Sequence, residues 1–161
     1  KNSFEDEVFK NTVLNKMYET KKKNNSFHIS KLEKILYQKL LVLYPLIEFQ
    51  KRDYPNFPFN VDYYIPNYDL LIEYQGTWTH GKEQFDENND SHIQKLSLWK
   101  EKAKYSKYYE NAIQTWTIRD VNKRNIADKL GIKYLRLYTY NIDMCIKQIQ
   151  DYIRDNCDNT N

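Results

Sequence analysis

Between Phe59 and Gly76, apolar and polar positions alternate with a period of two, twice over. Val61, Tyr63 and Ile65 alternate with Asn60, Asp62 and Tyr64; Leu70, Ile72 and Tyr74 alternate with Leu71, Glu73 and Gln75. This pattern predicts two strands, each buried on one face. Pro66-Asn67-Tyr68-Asp69 between them supplies turn residues, so the stretch predicts a β-hairpin. A simple turn there sets Asp62 opposite Glu73. Opposed side chains have Cβ atoms roughly 4.5–5.5 Å apart, and like charges in that position destabilise a sheet. A divalent cation between the carboxylates removes the repulsion, and hard cations such as Mg²⁺ prefer carboxylate oxygens. A solvated polar face, with the register shifted by one, is the plainer alternative. Gly76 and the run Trp78-Thr79-His80 follow at once, and sites gather at such strand exits.

The remaining pattern predicts helices around this hairpin. Residues 3–20 carry a thin apolar face (Phe4, Val8, Leu14, Met17), and 21–25 form a polar, basic break. Ser30 is placed to cap a helix running to about Leu43, with Glu33 as its capping-box partner. Leu32, Ile35, Leu36, Leu40 and Leu41 give that helix its apolar stripe. A strand is expected at 46–50, a polar loop at 80–91, helices at 92–109 and 110–130, and a strand at 132–138. Gly131 suits the position after a helix end, and Asn141 can cap a last helix to about Arg154. The order α, β, β, β, α, α, β, α predicts a layered α/β domain with a central mixed sheet. The expected division is an N-terminal helix and linker (1–25), one domain (26–155) and a short tail (156–161).

Composition narrows this little. The chain has 161 residues, 16% of them aromatic and 15 of them Tyr, so tyrosine must carry much of the packing. Cys145 and Cys157 lack metal-ligand spacing, and isolated thiols suit a reducing cytoplasm. No apolar run reaches the length of a membrane span and no signal peptide is visible. The net charge of +3 is mild. Lysine and arginine cluster at 21–23, 31/34, 100–107 and 119–124. Each cluster suits a solvated helix face, and together they favour an anionic partner.

The run Asp62…Ile72-Glu-Tyr-Gln-Gly-Thr-Trp-Thr-His-Gly81, with Glu33 before it and Asp120-x-x-Lys123 and the strand Gly131–Leu137 after it, resembles the PD-(D/E)XK nuclease superfamily. The likeness is to its very-short-patch-repair and phage homing-endonuclease ("EDxHD") branch, over residues 26–140. It implies a three-layer, restriction-endonuclease-like core and a metal-dependent DNA endonuclease acting on double-stranded DNA. Glu33, Asp62, His80 and Asp120 would take the family's E, D, H and D places, and Asp62 and Glu73 would hold Mg²⁺, with Mn²⁺ able to substitute. The chain departs from the superfamily at Gln75, where a lysine is expected. A lysine there would steady the attacking water or the developing charge.

That departure assigns work to two neighbours. An imidazole titrates near neutrality, so His80 can move a proton, and Lys123 can supply the missing charge. Trp78 either stacks on a base or packs in the core. Lys82, Arg119 and Arg124 are candidates for contacts to the nucleic-acid backbone. Plainer roles stand beside these: Glu33 in a capping box, and Asp120 in an intrahelical pair with Lys123 or Arg124. A non-catalytic nucleic-acid-binding module is the alternative function. A homodimer, or a longer chain of which this is part, stays open.

Overall fold

The structure, a computed structural model, describes residues 27–76 and 78–157. The expected helix at 3–20 and the basic break lie outside them. Helix α1 spans Phe27–Leu43. It buries Leu36, Tyr37, Leu40 and Leu41, the i, i+1, i+4, i+5 spacing of one helical face. Because α1 begins before Ser30, that serine lies inside the helix and not at the N-cap position expected of it. Strand β1 is Glu48–Lys51 rather than 46–50. Leu46 and Ile47 belong to the turn that leaves α1, where Ile47 N donates to the Tyr44 carbonyl. Ile47 is buried from that turn.

Strands β2 (Val61–Ile65) and β3 (Leu70–Tyr74) form the hairpin, joined by a 3₁₀ turn at Pro66–Tyr68. Tyr63 pairs with Ile72, Tyr64 with Leu71 and Ile65 with Leu70. This is the register expected from the sequence, and its next step sets Asp62 against Glu73. Strand β4 (Lys133–Leu137) runs parallel to β3, so the four-stranded mixed sheet has the order β1-β2-β3-β4.

Every residue of β3 is buried, where the alternation predicted burial on one face only. The reason is the parallel neighbour: such a strand is covered on both sides. Leu70, Ile72 and Tyr74 pack with α1 and with helix α5 (Ile142–Asn156) through Cys145, Ile149 and Ile153. Leu71 and Tyr134 pack on the other face with Phe57 and Ala127. Asn141 caps α5 as expected, its side chain accepting from Met144 N at 3.1 Å.

The helical region between β3 and β4 divides differently from expectation. Helix α2 (Asp90–Ala103) is capped by Asn89, and helix α3 (Lys107–Gln114) starts after the extended Ser106. The break falls at 104–106, where Tyr105 projects into solvent and anchors nothing. Helix α3 passes through a π-helical segment, Thr115–Arg119, into α4 (Asp120–Leu130). Gly131 ends α4 in the left-handed region, φ 67°. Trp99, Ala112 and Trp116, with Phe85, Leu96, Tyr109 and Ile113, form a separate small core that fastens the 81–91 loop to this helical unit.

Candidate active site

Six side chains converge where β3 ends and α4 begins: Asp62, Glu73, Gln75, His80, Asp120 and Lys123. Past the Tyr63–Ile72 pair the hairpin's backbone ladder gives way to a side-chain bond: Tyr74 N donates to Asp62 Oδ2 at 2.8 Å. Asp62 Oδ1 accepts from Gln50 Nε2 at 3.4 Å. The Asp62 carboxylate is thus held between the strands, against Glu73. Burial, then the Asp62 charge, push the Glu73 carboxyl up to about 8, against the opposite pull of Lys123. Lys123 Nζ lies 3.0 Å from Glu73 Oε1 and 5.6 Å from the centre of the Phe59 ring.

One step further along β3, Gln75 N donates to the Leu137 carbonyl. Its side-chain Nε2 donates to Asp120 Oδ1 at 3.3 Å. The other oxygen of Asp120 meets His80 Nδ1 at 2.6 Å. A carboxylate only accepts, so Nδ1 carries the hydrogen, and in the neutral ring Nε2 holds a lone pair. Asp120 is largely enclosed, its side chain 11% exposed, whereas the His80 side chain is 23% exposed. A neutral imidazole oriented by a largely enclosed carboxylate can take up a proton at Nε2.

The local chain explains why these groups meet. His80 ends a short 3₁₀ turn, Trp78–His80. Behind it, Gly81 has φ +70° and lies against Trp116, where a Cβ would come within 2.2 Å of the indole. Lys95 Nζ donates to the Gly81 carbonyl at 2.9 Å, and Trp116 Nε1 donates to the Glu83 carbonyl at 2.8 Å. Trp116 belongs to the π segment directly preceding Asp120. Such segments change helical phase and recur at functional sites. Asp120 and Lys123 leave it on one face of α4, a turn apart, pointing at Gln75 and Glu73 respectively.

The other candidates are placed less centrally. Glu33 is buried on α1, 2% exposed. Its backbone carbonyl accepts from Tyr63 Oη at 2.8 Å, and Tyr63 and Tyr74 both feel its charge. Glu33 therefore approaches the same end of the sheet from the face opposite Glu73. The Trp78 ring packs on Trp99 and Tyr109, at 5.4 and 5.0 Å between centroids, and remains 37% exposed. Lys82 and Arg119 are exposed. Arg124 Nη2 donates to the Phe85 carbonyl at 3.3 Å and so clamps the 81–91 loop. Lys123 does not make the intrahelical pair with Asp120, since it turns to Glu73.

Sequence reasoning missed Tyr134 and Arg136. Tyr134 Oη is buried without a hydrogen-bond partner among the described residues. Burial first, then the Glu73 charge, raise its hydroxyl far above the ordinary range. Arg136 pairs in register with Glu73 and donates to Gln84 Oε1 at 2.8 Å. Both alternate with Leu135 and Leu137 along β4. That parity was legible, but the strand neighbouring β4 was not.

The donor set suits a hard cation. It offers two juxtaposed carboxylates, of which Glu73 is pushed up by burial and by the Asp62 charge despite the Lys123 ammonium at 3.0 Å. It also offers the amide oxygen of Gln75, buried and without a hydrogen-bond partner among the described residues. No group of three or more His, Cys, Asp or Glu side chains among the described residues comes together as a metal cage. Mg²⁺ does not require one, as it binds through one or two carboxylates, waters and substrate oxygens. Comparison with protein-family models, curated proteins and solved structures gave no match. No helix among the described residues is long and apolar enough to cross a membrane.

Proposed function

We propose that the chain is a divalent-metal-dependent endonuclease with a restriction-endonuclease-like core, hydrolysing phosphodiester bonds in double-stranded DNA. The observation carrying this reading is the adjacency of the Asp62–Glu73 carboxylate pair and the Asp120–His80 dyad, linked through Gln75 and faced by Lys123. A mixed sheet with helices on both faces agrees with the resemblance. So does the order of the acidic residues along the chain.

Hydrolysis needs an activated water, compensation of charge on the phosphoryl oxygens, and a stabilised leaving oxygen. A metal ion on Asp62 and Glu73 supplies Lewis-acid charge compensation when bound. His80 Nε2 accepts the proton of the attacking water, while Asp120 holds the ring in the required tautomer. Gln75, anchored to Asp120 through its amide nitrogen, directs Oε1 towards the same region and orients that water. Lys123 takes over the charge role of the lysine that Gln75 replaces; as phosphate enters, its ammonium can swing from Glu73 to a phosphoryl oxygen. Lys82, Arg119 and Arg124 hold the strand backbones, and the exposed part of Trp78 stacks on a base. Action in the cytoplasm of a bacterial or phage-infected cell belongs to the same reading.

The Lys123–Glu73 ion pair also favours a second reading, a nucleic-acid-binding module in which the lysine permanently replaces the metal. Nicking of supercoiled plasmid by wild type and by Asp62→Asn, with Mg²⁺, with Mn²⁺ and with chelator, separates the two. The nuclease predicts metal-dependent nicking that Asp62→Asn abolishes. Binding without nicking under every condition leaves the module.

A further inference from the structure

Among the described residues, four that are not glycine have positive φ: Gln50 (54°), Asn56 (63°), Asp69 (49°) and Lys82 (65°). Asn56, Asp69 and Lys82 lie in turns, and asparagine and aspartate visit left-handed backbone readily. Gln50 is different, because it lies inside strand β1. A strand asks for strongly negative φ, and a glutamine side chain does nothing to relieve the left-handed clash. Residues held in this way persist only where their surroundings over-determine them, and they gather at functional sites.

The strand itself supplies no reason for the kink. The ladder pairs Glu48 with Tyr64, Phe49 with Tyr63 and Lys51 with Val61. The register is the same on both sides of Gln50, so no extra residue is being absorbed as in a β-bulge. The step between Phe49 and Lys51 sets Gln50 against Asp62. The same row continues across the sheet, from Asp62 to Glu73 and from Glu73 to its register partner Arg136. Within that row Gln50 Nε2 donates to Asp62 Oδ1 at 3.4 Å, while Tyr74 N donates to Oδ2 at 2.8 Å. Asp62 is therefore held by one donor from β1 and one from β3.

We propose that Gln50 is a positioning residue for the metal site, its left-handed backbone retained because it aims the amide at Asp62 and fixes the carboxylate before a cation arrives. With the Tyr74 amide alone, the carboxylate is free to pivot about Oδ2. Groups that hydrogen-bond to a ligating carboxylate orient it, and their loss costs roughly 10–100-fold in metal affinity. The Gln50 bond is long, so the lower end of that range is expected. The inference rests on the metal site of the proposed function and adds a residue that does not touch the metal. A purely structural Gln50 would affect stability and leave Asp62 as it is.

The experiment compares wild type, Gln50→Gly and Gln50→Met. Glycine adopts the left-handed backbone without strain and removes the amide. Methionine keeps an unbranched side chain of similar length and removes its hydrogen-bonding head. Mn²⁺ affinity is measured by electron paramagnetic resonance of the free ion. Backbone amide exchange and thermal unfolding are followed in chelator. Both variants should bind Mn²⁺ about tenfold more weakly. In both, the Tyr74 amide should exchange faster while that of Ile72, inside the ladder, keeps its protection. Gln50→Gly should unfold at no lower a temperature than wild type. Wild-type Mn²⁺ affinity in either variant, unaltered Tyr74 exchange, or a Gln50→Gly protein that loses stability but no affinity would overturn the proposal. Mn²⁺ affinity that depends on Gln50 in a protein that never nicks plasmid keeps the proposal and removes the nuclease. Metal-dependent nicking by a protein whose Mn²⁺ affinity ignores Gln50 does the reverse, and a wild type that takes up no Mn²⁺ overturns both.

Discussion

Glu73 is the residue at which burial and charge conflict most. Its carboxyl is enclosed, faces Asp62, and is pushed up to about 8 despite Lys123 at 3.0 Å. With the folded pKa above the unfolded one, the folded state binds more protons between the two values. Stability therefore falls as pH rises from about 4.5 to about 8, and the penalty is complete above that window. Glu73→Gln removes this linkage. Without metal, the variant should be more stable than wild type at pH 9, by on the order of 1–3 kcal/mol at ~1.4 kcal/mol per pKa unit. The advantage should fade below pH 5. Urea unfolding in chelator at pH 5, 7 and 9 checks this, and parallel profiles for the two proteins would refute it.

His80 and Asp120 are expected to act largely as a unit, because Asp120 orients the imidazole at 2.6 Å and holds the Gln75 amide more loosely, at 3.3 Å. His80→Ala should lower single-turnover nicking by roughly 10²–10⁴-fold with DNA binding retained. Asp120→Asn should lose less, and the double variant should be scarcely worse than His80→Ala alone. Multiplicative losses in the rates would show that Asp120 has a separate role.

At the scale of elements, the 3₁₀ turn bearing His80 is fixed by its contact with the π segment. Gly81 and Gly131 both have positive φ, but a Cβ meets Trp116 only at Gly81, and nothing within 4 Å at Gly131. Gly131→Ala should cost about 1 kcal/mol of stability, the strain of a left-handed alanine. Gly81→Ala adds an overpacking term and should cost on the order of 2–4 kcal/mol. It should also change the His80 ring resonances in an NMR spectrum, because the turn must move away from Asp120. Equal thermal shifts for the two variants would mean that the Trp116 contact does not hold the turn.

For the whole molecule, binding to DNA is expected to be mainly electrostatic. Lys82 and Arg119 are exposed, while Lys123 is engaged with Glu73. DNA affinity should fall linearly on a log–log plot against salt, with a slope set by the number of phosphates neutralised. Divalent cation should strengthen binding in wild type and not in Asp62→Asn, since carboxylates left uncompensated repel phosphate. Fluorescence anisotropy with a labelled duplex between 50 and 200 mM salt measures both. Salt-insensitive binding would overturn the electrostatic account.

The sequence by itself determined the features that depend on local rules. Period-two alternation around Pro66–Asp69 set the hairpin and its register, because a shift of one residue would turn every buried side chain to the other face. Gly131 and Asn141 marked helix ends because left-handed backbone and side-chain capping are local chemistry. The sequence also brought Asp62 and Glu73 together, since both lie on the hairpin. Tertiary structure decided everything that rests on contacts distant in the chain. It laid β4 parallel to β3, which buried β3 on both faces and brought Tyr134 and Arg136 to the site. It turned Lys123 from the nearby Asp120 to Glu73, fifty positions away. It carried Glu33 to the opposite face of the sheet, where the capping-box pattern had suggested a purely local role. Spacing alone cannot foresee these choices, because a side chain three residues from one partner is free to meet another wherever the packing of helix on sheet brings it nearer.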